Sequence, residues 1–463
     1  MHPAVLKRAI PTRSAERIEL LGLGGAALLL TVLSLHQLGR YSFWRDEVAS
    51  VLYSAAPLSD LLVIVGRNRD VVDVPFMATY SLLLHFWLGF SETEAQIRLL
   101  SVLAGVATTI PIYFIGRRLA GWSAGTLAAL VFATAPFVIE WNQEARSYSL
   151  AMFASATLTL LLLRALEHAS VFRWLLYGLV GALALYVHFF VGFVLATHAA
   201  YVLVTRSWHP LRPLVAAVVP LGIAALPLPF LIGEYGSAYS WIRPVTIWEI
   251  RHTLEILAGG IPVLVAMVAL ATVAVVSHRR DRRVGLVLAA ALVPIVAAIL
   301  ISVFRPMLQA RYLVVCLPLM AILAGVGLAA VRPLAARATA IGALAILLVL
   351  AVPAAYRDDH QQDWRSAGGW IAESARAGDR LIVTTWGRRE VYYYLGRTEG
   401  GVVPERTGIG AALDEPPDQL WVVLTNPPDV ERTVLDKLSA RFEYEEARNF
   451  GSKVLVVLMT PTE

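Results

Sequence analysis

The sequence predicts an α-helical polytopic membrane protein that ends in a small α/β domain. Three observations carry this reading. Apolar residues make up 57% of the chain and charged residues 16%, with a mean hydropathy of +0.64, a balance that ordinary soluble domains do not reach. Apolar runs recur along most of the chain, and many are long enough to cross about 30 Å of hydrocarbon. Past Pro353 the composition changes: charge rises, and short β-like runs alternate with amphipathic helical patterns.

Taken in order, spanning runs fall near 18–37, 97–116, 121–139, 147–166, 171–187, 189–206, 211–232, 256–277, 284–304, 312–331 and 337–353, which predicts about 11–13 transmembrane helices. Lys7, Arg8, Arg13 and Arg17 precede the first run as in a signal peptide, but no small-residue cleavage site follows, so the run is read as an uncleaved span. The connections alternate in charge. One set carries the N-terminal basic residues, Arg117-Arg118, Arg164 with Arg173, Arg206 with Arg212, His278 to Arg283 and Arg332 with Arg337; these are expected in the cytoplasm, with the N-terminus. The other set, with Asp46-Glu47, 140–147, 186–188, 233–251, 305–311 and the C-terminal tail, is expected outside the plasma membrane.

The apolar stretch 75–90 breaks the alternation. Counted as a span it would move Arg117-Arg118 outside and Glu144 inside, and it is short for a crossing. Residues 38–96 are therefore read as an external loop carrying juxtamembrane helices, a genuine span at 75–90 being the alternative. This divides the chain into a membrane-embedded domain at 1–355 and an extracytoplasmic α/β domain at 356–463. The latter has β-like runs at 380–385, 420–425 and 453–459, helical patterns at 364–376 and 430–438, and enough residues to bury a core. The net charge of +5 lies in short loops between apolar runs, where it orients helices and does not point to nucleic acid. A single cysteine, Cys316 in an apolar run, excludes an internal disulfide and a cysteine-rich metal site.

Two polar constellations stand out at the expected outer face. Tyr-Ser-Phe-Trp-Arg-Asp-Glu at 41–47 places Asp46 and Glu47 where the first run leaves the bilayer. Adjacent acids there are costly to desolvate and suit chemistry or ion binding, although simple pairing with Arg40 or Arg45 would also account for them. Gln143-Glu144-Ala145-Arg146-Ser147-Tyr148 opens a later span at the same face, joined by Arg98, His188 and Arg311-Tyr312. Each alone reads as a capping or snorkelling residue; together they suggest an anion site beside carboxylates.

These stretches, with Arg311-Tyr312-Leu313, resemble the GT-C integral-membrane glycosyltransferases, above all the bacterial relatives of protein O-mannosyltransferases and the lipid A aminoarabinose transferase. The likeness runs in order over about residues 18–353, and the acidic pair and the Gln-Glu-Ala-Arg motif are its most specific parts. The segment from Asp73-Val74-Pro75 to Leu84-His85-Phe86-Trp87 is similar too, with Asp73 where such proteins often carry the His of His-x-Pro, so the role of that His does not transfer. The resemblance implies inverting transfer of a sugar, with hexose and especially mannose favoured, from a polyprenyl phosphate to a hydroxyl of a glycan, glycolipid or protein at the outer face of the membrane. Such a transfer needs a base within hydrogen-bond reach of the attacking hydroxyl; Asp46 is the expected base, with Glu47 orienting Asp46 or an acceptor hydroxyl and Glu144 a second acid for acceptor binding or base support. Arg98, Arg146 and Arg311 are the candidates to hold the departing phosphate, and Tyr148, His188, Tyr312 and Asp73 complete the substrate-binding set. No cofactor is required; a carboxylate-bound Mg or Mn ion is compatible with one Asp-Glu pair but not demanded by it. The alternative is a transporter or flippase of a lipid-linked or anionic solute, set back by the gathering of charges on one face and the lack of an inverted repeat. A sensor with an inert membrane anchor would leave the outer polar residues without purpose.

Overall fold

The computed structural model describes residues 13–59, 77–91, 93–205, 211–228, 242–357, 362–384, 387–425 and 428–462. The helices in chain order are α1 (Arg13–Leu35), α2 (Arg45–Ser54), α3 (Ala78–Leu88), α4 (Glu94–Ala120), α5 (Trp122–Ala133), α6 (Pro136–Asn142), α7 (Tyr148–Glu167), α8 (Val171–Leu185), α9 (Val191–Val204) and α10 (Leu211–Ala225). They continue as α11 (Ile247–Ala258), α12 (Ile261–Ser277), α13 (Arg282–Ser302), a 3-10 turn (Ala310–Cys316), α14 (Leu317–Ala330) and α15 (Leu334–Ala351). The chain forms two compact units. One comprises Met1–Gln37, Pro57–Gly89 and Arg98–Tyr356; the other comprises Leu38–Ala56, Phe90–Ile97 and Arg357–Glu463.

The regular structure of the first unit, among the described residues, is all helix. Among the described residues, five segments are long and apolar enough to cross a membrane, two bent pairs (α5 with α6, α11 with α12) would each make one more, and four shorter helices are also apolar. These correspond one to one with the spanning runs read from the sequence. Each bend has a local cause. Pro136 starts α6 after a 63° turn, and Gly259 and Gly260, with φ of +86° and +127°, make the 80° turn between α11 and α12. At the centre lies α14, most of its length buried. A side chain at Gly325 would collide with the Ala128 backbone and one at Gly327 with that of Leu270, so small residues let α14 approach α5 and α12 closely. The periphery is apolar instead of charged: α15 buries only Leu344 and Leu348 and leaves Leu334, Ile346, Val349 and Leu350 62–75% exposed. Such a surface is stable against lipid, not water.

Polar side chains sort to the two ends of this unit. At one end Arg117 pairs with Glu19 (2.9 Å), Arg283 with Asp281 (2.7 Å), and Glu167 lies 3.7 Å from Arg118 and 3.9 Å from Arg283. The other end holds the starts of α4 and α7 and the α8–α9 turn. There α3 docks through Thr79, whose amide donates to the Tyr186 carbonyl (3.0 Å) and whose hydroxyl donates to that of Leu183 (2.9 Å). Its 11 residues cover about 16 Å, half of the hydrocarbon thickness.

The second unit contains the α/β domain: α16 (Trp364–Ser374), β1 (Arg380–Val383), α17 (Arg388–Leu395), β2 (Glu405–Arg406), α18 (Ile409–Asp414), β3 (Leu420–Leu424), α19 (Pro428–Leu438), β4 (Phe442–Phe450) and β5 (Val454–Pro461). The sheet order is β2-β1-β3-β5-β4, with β2, β1 and β3 parallel and β5 antiparallel to both β3 and β4. Buried on both faces, β3 pairs Leu420 with Met459 and Leu424 with Leu455. Leu420, Val422 and Leu424 pack with Leu438 and Val457 on one side; on the other, Trp421 meets the Trp370 ring edge-on at 5.1 Å. The three β-like runs of the sequence are β1, β3 and β5. Missed were the two edge strands: β2, two exposed charged residues, and β4, whose burial is confined to its ends, so neither carries apolar alternation. Residues 38–56 and 90–97 group with the C-terminal residues in the second unit, where the hydrogen-bond partners of Gly39, Tyr41, Ser42, Phe43 and Glu94 also lie.

Candidate active site

In the first unit the Gln-Glu-Ala-Arg motif forms the tight turn between α6 and α7. The carboxamide of Gln143 donates to the carbonyls of Ser34 (3.0 Å) and His36 (2.6 Å) at the end of α1. Asn142 donates to the Ser34 hydroxyl (3.1 Å) and accepts from that of Ser149 (2.8 Å). Gln143 is thus a structural tether. With the turn so pinned, Ala145, Arg146, Ser147 and Tyr148 are buried and Glu144 is half-buried.

Around this turn the structure brings five of the expected residues together. The Tyr148 ring lies 5.7 Å from His188, and His188 lies 5.7 Å from Tyr312. Arg146 stands over the Tyr148 ring at 5.8 Å and Arg311 over the Tyr312 ring at 5.6 Å, geometries in which the ring face attracts the cation. His188 sits in the α8–α9 turn, outside both helices. Burial, then the charges of Arg146 and Arg311, push its imidazole down to about 3. It is neutral at physiological pH and too weakly basic to serve as a general base. Arg98 is buried on α4; three residues on, the Ser101 hydroxyl donates to the Arg146 carbonyl (3.2 Å) and lies 3.2 Å from the Tyr80 hydroxyl on α3. Ser147, fully buried beside Arg146, has a hydroxyl without a hydrogen-bond partner among the described residues.

Asp46 and Glu47 belong to the second unit, in the first turn of α2, where the helix dipole favours negative charge. Glu47 is fully buried and Asp46 half-buried. The segment leading to them is held by the C-terminal domain. The Phe43 amide donates to the Tyr394 hydroxyl (2.6 Å), and the Ser42 hydroxyl donates to the Gln362 carbonyl (2.9 Å) while accepting from the Trp364 amide (3.1 Å). Buried Glu390 on α17 feels the charges of Arg45 and Asp46; burial raises its pKa above the usual carboxylate range. Sequence reasoning passed over Tyr394, Glu390, Glu94 and Arg365. Three consecutive tyrosines at 392–394 in an otherwise polar tail were the only local signal. Asp73 lies outside the described residues. Among the described residues no three His, Cys, Asp or Glu side chains gather as a metal ion would require.

A family profile described as dolichyl-phosphate-mannose-protein mannosyltransferase matches residues 73–232. The structure superposes on ArnT from Cupriavidus metallidurans in the apo state with a TM-score of 0.66 at 16% identity, covering 96% of this chain and 98% of that one. The chain has the GT-C fold. The undecaprenyl phosphate-bound form of the same ArnT gives 0.63 at 16% identity, again over 96% and 98%. The archaeal oligosaccharyltransferase AglB from Archaeoglobus fulgidus, in complex with an inhibitory peptide and a dolichol-phosphate, gives 0.50 at 14% identity over 83% of this chain and 60% of that one. No curated protein matches the sequence significantly. The GT-C likeness therefore covers both units, and at these identities it speaks for the fold.

Proposed function

We propose that this protein is an inverting glycosyltransferase that moves a sugar from a polyprenyl phosphate to an acceptor hydroxyl at the outer face of the membrane. The observation that carries the reading is the convergence of Arg146 and Arg311 on neutral His188 between Tyr148 and Tyr312. Two guanidinium groups in an apolar helical unit suit a lipid phosphate, whose tail stays among apolar helices while its oxygens take planar, charge-assisted hydrogen bonds. ArnT, similar in fold, has been solved with undecaprenyl phosphate, and AglB with a dolichol-phosphate.

In this reading the acceptor oxygen attacks the anomeric carbon from the side opposite the phosphate. The bond from that carbon to the phosphate oxygen breaks, the hydroxyl proton passes to Asp46, and polyprenyl phosphate leaves with one more negative charge. Asp46 is the better base because it is the more accessible of the pair, and buried Glu47 orients it. Arg146, Arg311 and Arg98 stabilise the growing phosphate charge, and Glu144 supports the acceptor. A hexose, with mannose first, is the sugar in keeping with the family profile; a glycan, glycolipid or protein supplies the hydroxyl. The N-terminus is cytoplasmic and the C-terminal domain extracytoplasmic.

The test is transfer by the purified protein in lipid nanodiscs, given polyprenyl-phosphate mannose and membrane extract as acceptor source. Time-dependent release of polyprenyl phosphate with label appearing in acceptor is expected. Movement of the intact lipid-linked sugar across a vesicle bilayer, without cleavage, would instead establish a flippase.

A further inference from the structure

We propose that the C-terminal domain acts as a positioning device for the acidic helix, with Tyr394, Glu94 and Arg365 forming the clamp. This rests on the reading of Asp46 as the base. The N-cap position before α2 is Trp44, which has no side-chain oxygen to cap the helix, and no side-chain cap is made there. The start of the helix that carries both acids is therefore set from outside, by the backbone just before it. That backbone is gripped at successive residues. Arg365 donates to the carbonyls of Gly39 (3.2 Å) and Tyr41 (3.3 Å), Ser42 bridges Gln362 and Trp364, and the Phe43 amide is taken by Tyr394.

The grip is itself tied together. The Tyr394 hydroxyl accepts from Phe43 and donates to the Glu94 carboxylate, and the same carboxylate pairs with Arg365. Tyr394 is only 5% exposed, and its ring meets that of Tyr393 edge-on at 5.0 Å; Tyr393 in turn lies 5.9 Å from the buried Phe43 ring. Burial, with the nearby Glu47 charge, holds the Tyr394 phenol above its ordinary pKa, so it remains a donor to Glu94 across the physiological range. One phenol thus links the backbone three residues before Asp46 to an ion pair of the C-terminal unit. Displacement of a reacting group by about 1 Å can cost on the order of 10² in rate, so a clamp at this point governs turnover without touching the donor.

Tyr394→Phe keeps the ring and removes both hydrogen bonds. Its kcat should fall by roughly 10- to 100-fold, with the donor KM within about twofold and the thermal midpoint little changed. Hydrogen exchange of the peptide covering 39–47 should become faster, because the Phe43 amide loses its acceptor. Arg365→Lys keeps a charge for Glu94 but loses the planar fork, and a smaller fall in kcat with the same exchange signature is expected. Wild-type kcat together with unchanged exchange in both variants would overturn the clamp, as would kcat, donor affinity and thermal midpoint all declining together, the mark of a merely structural contact. Asp46→Asn run in parallel separates the two levels. If it retains full activity, the reading of the base fails; if it is inactive while Tyr394→Phe turns over normally, only the clamp fails.

Discussion

The two units solve opposite electrostatic problems. The helical unit carries cations, Arg98 and Arg146 buried and Arg311 half-buried, and the ring faces of Tyr148 and Tyr312 lie against Arg146 and Arg311. The other unit carries anions, Asp46, Glu47, Glu94 and Glu390, in a polar α/β setting rich in hydrogen-bond donors. Buried guanidinium groups in an apolar frame hold their charge at any physiological pH and so make a lasting phosphate site. Buried carboxylates respond to their neighbours and can be tuned as bases. The division of labour proposed here, phosphate to one unit and proton transfer to the other, follows from that difference.

The largest effect expected is on the anionic side. Asp46→Asn keeps the shape of the side chain and removes the proton acceptor, so transfer should fall by about 10²–10⁴. Near-normal turnover in the purified variant would break the comparison by removing the base from the second unit. On the cationic side, Arg146→Ala or Arg311→Ala deletes charge-assisted hydrogen bonds worth about 1.5–3 kcal/mol, and undecaprenyl phosphate should bind roughly 10- to 100-fold more weakly. Unchanged affinity in both variants would move the phosphate elsewhere.

Smaller effects sharpen the contrast. Glu390 has a raised pKa in the folded protein, from burial first, with Arg45 and Arg389 opposing. Its protonated form is favoured by folding, so its stabilising contribution is complete below the ordinary carboxylate range and is lost as pH rises through the folded pKa. Glu390→Gln should therefore raise the thermal midpoint near neutral pH, by about 2–4 °C for each kcal/mol relieved, and flatten the decline between acid and neutral pH. A lower midpoint at pH 7 would show that Glu390 is held ionised by its arginines. The topology is read by fusion: a reporter active only outside the cytoplasm should score after Glu463 and fail at Arg280, and the reverse pair would invert the assignment.

Much of the helical unit is legible in the sequence because lipid imposes a length and a composition on each crossing. The apolar runs recur as helices, and basic Arg117, Arg118 and Arg283 cluster at the end opposite Tyr148 and His188. The cluster of Arg146, Tyr148, His188, Arg311 and Tyr312 was legible for the same reason, since charge in an apolar chain is conspicuous. The second unit obeys no such constraint. Nothing local in Ser42 or Phe43 announces partners some 320–350 residues away, and helix α17 hides its buried Glu390 and Tyr394 in a polar sequence. Long-range hydrogen bonds leave no periodicity behind, so the support of the acidic helix could be seen only in three dimensions.

The most direct measurement takes donor-lipid binding and turnover on the same two variants, Asp46→Asn and the double variant Arg146→Ala with Arg311→Ala. Division of labour predicts that Asp46→Asn binds undecaprenyl phosphate as the wild type does while losing transfer, and that the arginine variant loses binding. If Asp46→Asn loses affinity to the same degree as the arginine variant, or if the arginine variant binds normally, phosphate and base are not separated between the units and the account is wrong.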